Sequence, residues 1–202
     1  MSAELAVRPI TREQWLERAV LALRPLFDEI DVELPVVRVS VGWPSRGGTG
    51  ATKRIVGQCW KTTVAGDGVA QLFISPVLGG DRLQMLGILL HELVHASDDC
   101  ESGHKGAFAQ RARALGLEGK LTATVVNPLS DLGHWLSGTL DELGEYPHSP
   151  LNFAEMGKQR KPQATRMLKL EAECCGYIVR TTQKWLDTGL PSCPCGNEMH
   201  EA

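Results

Sequence analysis

The sequence predicts an α+β fold composed of one larger domain and a small β module. Helix-type and strand-type runs alternate over residues 8–148, a basic segment with scattered prolines follows at 149–165, and four of the six cysteines lie within 166–202. A chain of 202 residues, 43% of them hydrophobic, can bury one good core and a small satellite module, but not two full domains. We therefore expect a domain, a linker and a cysteine-rich module with these boundaries.

The elements of the larger domain are predicted from periodicity and capping residues. Residues 11–30 have the apolar spacing of a helix, which Thr11 can cap and Pro25 can kink or split. The runs "VVRVSVGW", "IVGQCWKTTV" and "VAQLFISPVL" are predicted as strands. Three further helices are expected: one starting near Asp81, one at 104–115 and one at 128–144.

Charge and hydropathy indicate an ordinary globular protein. The formal net charge is -3, and no apolar run approaches the roughly 18 residues that a membrane span requires. The first residues, "MSAELAVRPITREQW", carry charges and lack the apolar core of a signal peptide. We expect a cytoplasmic location and no membrane partner.

The stretch "LGILLHELVHASDD" (86–99) interrupts an apolar helix with polar groups. His91 and His95 are one helical turn apart, so both imidazoles leave the same face, with Glu92 beside them. The pattern H-E-x-x-H on a helix is typical of zinc hydrolases, in which the two histidines bind the metal. Glu92 can then take a proton from the attacking water. A core helix with incidental polar residues is the alternative.

A catalytic zinc usually has three protein ligands and one open position. The best third candidate is His104, because Gly103 allows a sharp turn before it and a helix is expected to begin there. Glu118 is an alternative third ligand. Asp98 lies on the histidine face of the helix, where it could orient a ligand or simply be solvated.

Several stretches resemble the SprT-like metalloproteases, relatives of Spartan. They are "GQCW", "LFISP", "LLHELVHA" and "GHKGAFAQRARALG", and the resemblance covers most of residues 36–202. It implies a zincin-like metallopeptidase domain with one catalytic zinc and Glu92 as general base. The ligands that it implies are His91, His95 and His104. Members of the family often end in a zinc ribbon, and the best-understood ones cleave proteins crosslinked to DNA.

The cysteines of the module predict a second, structural zinc, although they depart from the usual two C-x-x-C turns. Ala172 stands where a first cysteine would be expected, and "SCPCG" is one residue short. The expected ligands are Cys175, Cys193 and Cys195, with Cys174 or His200 as the fourth; a ribbon without metal is the alternative. Residues 176–191, between the cysteine turns, are interpreted as the hairpin of the ribbon.

A DNA contact and a protein substrate are the predicted partners. Residues 156–184 hold seven Lys or Arg against two Glu, a net charge of +5, and such a segment could contact phosphates through Lys158, Arg160 and Lys161. The function expected is zinc-dependent peptide hydrolysis, with Tyr146, His134 or His148 as candidate oxyanion donors. The alternatives are a non-catalytic nucleic-acid-associated zinc module and a hydrolase of non-peptide bonds.

Overall fold

A computed structural model of the chain describes residues 10–45, 54–152 and 167–202. The described residues form two compact units, divided between Phe153 and Ala154. They are mixed α+β with small sheets, as the sequence predicts. Within these ranges no helix combines the length and apolar character needed to cross a membrane. The basic residues Lys158, Arg160 and Lys161, and most of the expected linker, lie outside the described residues.

The first unit combines helices with two small sheets. Its helices are α1 (Arg12–Asp28), α2 (Arg82–Ser97), α3 (Gly106–Ala114) and α4 (Asp131–Leu143). Its strands are β1 (Val37–Val41), β2 (Gly57–Trp60), β3 (Ala70–Ile74), β4 (Glu118–Lys120) and β5 (Ala123–Val125), with a 3-10 turn at Thr62–Val64.

Helix α1 begins where its cap predicts. The Thr11 hydroxyl accepts a hydrogen bond from the Gln14 backbone N–H, and the Gln14 side chain accepts one from the Thr11 N–H, which together form a capping box. Pro25 does not split the helix, which continues to Asp28. The residues after the proline, Leu26 and Phe27, are buried, so packing offsets the hydrogen bond that proline cannot make.

The larger sheet has the strand order β1-β3-β2. Strands β1 and β3 are parallel, whereas β2 is antiparallel to β3; β2 is one of the two outer strands and packs next to α2. Side chains of α1, α2 and the sheet share one core; its fully buried members include Trp15, Leu16, Phe27, Leu72, Ile74, Leu86, Leu90 and Leu93. This core fixes α2 between the sheet and the other helices.

Helix α2 starts at its predicted cap, because the Asp81 carboxylate accepts a hydrogen bond from the Gln84 N–H. After Ser97 the chain turns through a short loop and enters α3 at Gly106. Gly103 adopts a φ of +54°, a left-handed conformation that glycine tolerates. His104 therefore lies just before α3, not within it.

The second unit is a small sheet with a short helix. It contains β6 (Leu168–Glu171), β7 (Ile178–Thr181), α5 (Gln183–Leu186) and β8 (His200–Glu201), in the sheet order β7-β6-β8. The prediction of a hairpin at 176–191 is wrong, because this segment contains one strand, β7, which pairs with β6, followed by the helix α5. The helix is explained by packing: Leu186 contacts a core of Leu170, Ala172, Cys193 and Met199.

Candidate metal centres

Three histidine side chains from two segments meet at one point of the first unit. His91 and His95 project from one face of α2, and His104 reaches them from the loop before α3. The Nε2 atom of His104 lies 3.2 Å from Nε2 of His95 and 3.3 Å from Nε2 of His91. Ligand atoms of all three lie within 4.8 Å of one another. The group predicted from the sequence is therefore assembled, and it could hold a metal ion.

The spacing of these nitrogens fits a small cation. Bonds of about 2.0–2.1 Å arranged tetrahedrally place two histidine nitrogens about 3.3–3.4 Å apart. The two Nε2 separations on His104, 3.2 and 3.3 Å, are close to that value. In the tautomer that leaves each Nε2 atom unprotonated, three lone pairs converge on one point, and a cation there removes their mutual repulsion.

Two further side chains orient the imidazoles. The Nδ1 atom of His91 lies 2.8 Å from the Thr124 hydroxyl on β5, which can accept its N–H and leave Nε2 free to bind. Phe108, fully buried on α3, stacks on His95 at a centroid distance of 4.2 Å and meets His91 and His104 edge-on. These contacts hold the rings in place before any ion binds.

Burial keeps the histidines in the form that binds metal. Burial, with the neighbouring His95 and His104, lowers the pKa of His91 to about 3. Burial and His104 lower the pKa of His95 to about 4, although Asp98 opposes that change. Burial also lowers the pKa of His104. All three rings are therefore neutral at pH 7, with lone pairs available.

Glu92 is buried in the wall of the same site, with 6% of its surface exposed. Burial raises the pKa of Glu92 to about 8, and the backbone N–H of Cys59, which donates to the carboxylate, acts in the opposite direction. Gly57 lies against this side chain, where a Cβ atom would come within 2.9 Å of Glu92 Cγ. A cation among the histidines would favour the ionised carboxylate.

The three histidines and Glu92 open into a cleft of about 680 Å³. Residues of β2 and β5 form part of its lining. Tyr146, His134 and His148, the candidate oxyanion donors, are not among the residues that line it. Tyr146 is instead buried against Trp15, with ring centroids 5.2 Å apart, and the two histidines are exposed elsewhere on the unit.

Two other predicted roles are not supported by the geometry. Glu118 is exposed on β4 and does not belong to the histidine group, so it is not the third ligand. Asp98 does not orient an imidazole. Its Oδ2 atom accepts a hydrogen bond from the backbone N–H of Ser102, and its buried Oδ1 atom has no partner.

The second unit brings together all four of its cysteines. The sulfurs of Cys174, Cys175, Cys193 and Cys195 lie within 4.8 Å of one another, and those of Cys174 and Cys193 are 3.4 Å apart. A turn closed by the Gly176 N–H on the Ala172 carbonyl lets two adjacent cysteines face one point. His200 lies on β8 and is not in this group, so Cys174 is the fourth member.

The electrostatics of Cys193 favour metal binding. Although burial raises its pKa, the backbone N–H groups of Asn197 and Cys195 and the neighbouring thiols of Cys174 and Cys175 lower it to about 7. The thiolate is the form that binds metal ions. The four sulfurs could therefore hold one ion, independently of the histidines.

The residues that sequence reasoning missed come from distant segments. Gly57 lies against Glu92 of α2 and Thr124 contacts His91 of α2, although 35 and 33 residues of sequence separate the two pairs. The hairpin β4–β5 that carries Thr124 was also missed. Its only signal is the run "TATVV", whose β-branched residues favour a strand.

Comparison of the chain with protein-family models, with curated proteins and with solved structures finds no match.

Proposed function

We propose that the chain is a zinc-dependent hydrolase of peptide bonds, with a zincin-like first unit of the SprT-like type. The observation that carries this proposal is the convergence of three histidine Nε2 atoms beside one buried glutamate, in an open cleft. A purely structural metal site has no use for that carboxylate, whereas hydrolysis requires a proton acceptor beside the attacking water.

The ligands in this proposal are His91, His95 and His104. A zinc ion held there would supply a Lewis acid and make hydroxide available near neutral pH. The thiolates of the second unit would hold a separate, structural zinc.

Glu92 performs the proton transfers in this proposal. It accepts a proton from the attacking water and passes it to the leaving amine. The Cys59 N–H holds the carboxylate of Glu92 by a hydrogen bond, and Gly57, which has no side chain, leaves room for it in the cleft wall. The buried position excludes bulk water, which strengthens the electrostatic interactions of the carboxylate with a charge in the cleft.

The walls of the cleft suit an extended peptide. Strand β2 is one of the two outer strands of its sheet, and Gly57, Gln58 and Cys59 line the cleft. An extended segment can add to such an edge through main-chain hydrogen bonds to groups other than the Cys59 N–H, which donates to Glu92, and such bonds are largely independent of side-chain identity. This arrangement favours a protein substrate over a small molecule.

The test is a zinc count and a cleavage assay on matched variants. Relative to wild type, His104→Ala should lose about one zinc ion per chain, whereas Glu92→Gln should keep it and lose cleavage of an unfolded protein. Glu118→Ala is the control, since Glu118 is the rejected ligand and is exposed. Equal zinc in wild type and His104→Ala, or full cleavage by Glu92→Gln, would refute the proposal. If the protein were a non-catalytic zinc module, both wild type and Glu92→Gln would keep their zinc and neither would cleave the substrate.

DNA as a partner remains a proposal that rests on the basic segment alone. Changing Lys158, Arg160 and Lys161 together to Ala should weaken DNA binding and reduce its dependence on salt, because fewer counterions are released. Equal DNA binding by the triple variant would remove DNA from the proposed function and leave the metal chemistry untouched.

A further inference from the structure

Two free cysteines face each other in the wall of the histidine cleft. Cys59 lies on β2 and Cys100 lies in the loop between α2 and α3, and both line the cleft. Their sulfur atoms are 3.0 Å apart. Neither belongs to the candidate metal ligands, and the proposed hydrolysis uses neither thiol.

Neighbouring contacts hold this pair together. The Asp99 carboxylate accepts hydrogen bonds from the Thr62 N–H at 2.7 Å and from the Thr62 hydroxyl at 2.9 Å. Lys61 and Glu101 form an ion pair at 3.4 Å. These contacts join the segment from Cys59 to Thr62 to the segment from Asp99 to Glu101. They therefore keep the two sulfur atoms close to each other.

The backbone at Cys100 is also unusual. Asp99 and Cys100 have φ values of +52° and +60°, in the left-handed region that residues other than glycine rarely adopt. Such conformations persist where surrounding contacts over-determine them, and they concentrate at functional sites. Here the turn directs the Cys100 side chain toward Cys59.

We propose that Cys59 and Cys100 form a reversible disulfide that acts as a redox switch on the neighbouring histidine site. The oxidant is a low-molecular-weight disulfide. One cysteine thiolate attacks this disulfide, which forms a mixed disulfide with the protein and releases one small thiol. The thiolate of the second cysteine then attacks the protein sulfur of the mixed disulfide, which forms the Cys59–Cys100 bond and releases the other small thiol. Two protein thiols are oxidised by two electrons, and one small disulfide is reduced to two thiols. Disulfides in reducing compartments are usually transient and redox-sensing, as this mechanism requires.

The disulfide acts through the backbone on both parts of the site. Bond formation brings the sulfurs from 3.0 Å to about 2.05 Å, a movement of about 1 Å. The N–H of Cys59 donates to the Glu92 carboxylate, and the N–H of Cys100 donates to the His95 carbonyl oxygen at 2.8 Å. The loop from Cys100 continues to His104. A displacement of about 1 Å can cost about 100-fold in rate.

The experiment uses the full chain with oxidised glutathione as the oxidant, followed by alkylation, trypsin digestion and mass spectrometry. The expected product links peptide 55–61, which contains Cys59, to peptide 83–105, which contains Cys100. In the same samples the ring NMR signals of His91, His95 and His104 should shift on oxidation and return on reduction by a phosphine. Cys100→Ser should show neither change, and Thr63→Ser, a change at an exposed residue of the 3-10 turn that follows β2, should show both.

The effect on turnover rests on the proposed function: peptide cleavage by the oxidised wild type should fall at least tenfold and recover on reduction. Peptide mapping and NMR need no turnover, so an inactive reduced protein would refute the peptidase and leave the switch to be decided by these two readouts. Absence of the linked peptides, or linked peptides with unchanged histidine signals, would overturn the switch. Cys100→Ala replaces Cys100→Ser if the serine variant does not fold.

Discussion

Gly57 of β2 leaves the space that the Glu92 side chain of α2 occupies. A Cβ atom at position 57 would overlap the carboxylate and lie 2.9 Å from Glu92 Cγ and 3.0 Å from Cδ. Real Cβ atoms do not approach other heavy atoms this closely, so one of the two residues would have to move. A glycine in an outer strand, which costs strand stability, thereby serves the position of the proposed general base.

Gly57→Ala is therefore expected to displace Glu92 while leaving the three histidines in place. We expect peptide cleavage to fall by about 100-fold, the effect of a displacement of about 1 Å, with zinc content unchanged. The measurements are steady-state cleavage of an unfolded protein and zinc content.

Gly66→Ala is the matched control for this change. Gly66 lies in the connection between β2 and β3, and a Cβ there would meet nothing within 4 Å. The cleavage activity of the Gly66→Ala variant should equal that of wild type. Equal activities of the Gly57 and Gly66 variants would show that Glu92 tolerates displacement, contrary to its proposed role.

Helix α2, which carries His91 and His95, could be predicted from the sequence because its signals are local. Asp81 caps it, the apolar residues follow the helical period, and His91 and His95 are one turn apart. The role of His104 as third member of the histidine group could also be predicted, since Gly103 marks a turn before the next helix. By contrast, local signals do not identify the partners of these side chains. The run "TATVV" favours a strand, but only a contact between segments distant in sequence places Thr124 beside His91.

The hairpin predicted for the second unit failed for a different reason. Residues 176–191 contain strand-type residues, but Thr182 can begin a helix, Gln183–Leu186 favour one, and Gly189 can follow its end. These competing signals were present in the sequence. The small core, which takes in Val179 and Leu186, selects one strand and one helix.

Thr124 should control metal affinity without touching the metal. Its hydroxyl lies 2.8 Å from His91 Nδ1, and loss of a partner of this kind typically weakens metal binding by about 10- to 100-fold. Thr124→Val removes the hydroxyl and keeps the shape and β-propensity of the side chain. A competition titration with a zinc chelator measures the affinity.

Thr122→Val is the control for the loss of a threonine from the same hairpin. Thr122 also lines the cleft, but it is exposed and lies outside β5. Its zinc affinity should match that of wild type. If both variants bind zinc equally well, the Thr124 hydroxyl does not orient His91.

The metal-free protein should show a pH dependence set by Glu92 and the histidines. Glu92 has a pKa of about 8 in the folded protein, above its ordinary value of 4.5, so the folded state binds more protons and stability falls as pH rises between these values. His91 and His95 have pKa values of about 3 and 4, below the usual 6.5, so the unfolded state binds more protons and stability falls as pH drops below 6.5.

Glu92→Gln isolates the first of these contributions. From pH 5 to pH 8 the metal-free variant should gain on the order of a few kcal/mol over wild type in free energy of unfolding, because glutamine has no proton to lose. Urea denaturation in the presence of a chelator measures the difference at each pH. Glu118→Gln, a change at an exposed glutamate, is the matched control. A difference for Glu92→Gln that does not vary with pH would contradict the buried, protonated state.

The cysteine cluster should determine whether the second unit folds. Its described core contains only Leu170, Ala172, Cys193 and Met199, with Val179 and Leu186 packed against it, and so small a core rarely supplies enough stability without a metal or crosslink. A metal bound by four thiolates contributes its binding free energy directly to folding.

We therefore expect Cys193→Ser to lose one metal ion per chain and to remove the slow amide hydrogen exchange of residues 168–171, which form β6. The exchange of α2 in the first unit should remain unchanged, because the histidine group is separate from the cysteine group. His200→Ala is the control, since His200 lies on β8 and is not in the cysteine group. Protected β6 amides in Cys193→Ser, with metal content equal to wild type, would show that the small core folds without a metal and that the cysteines do not bind one.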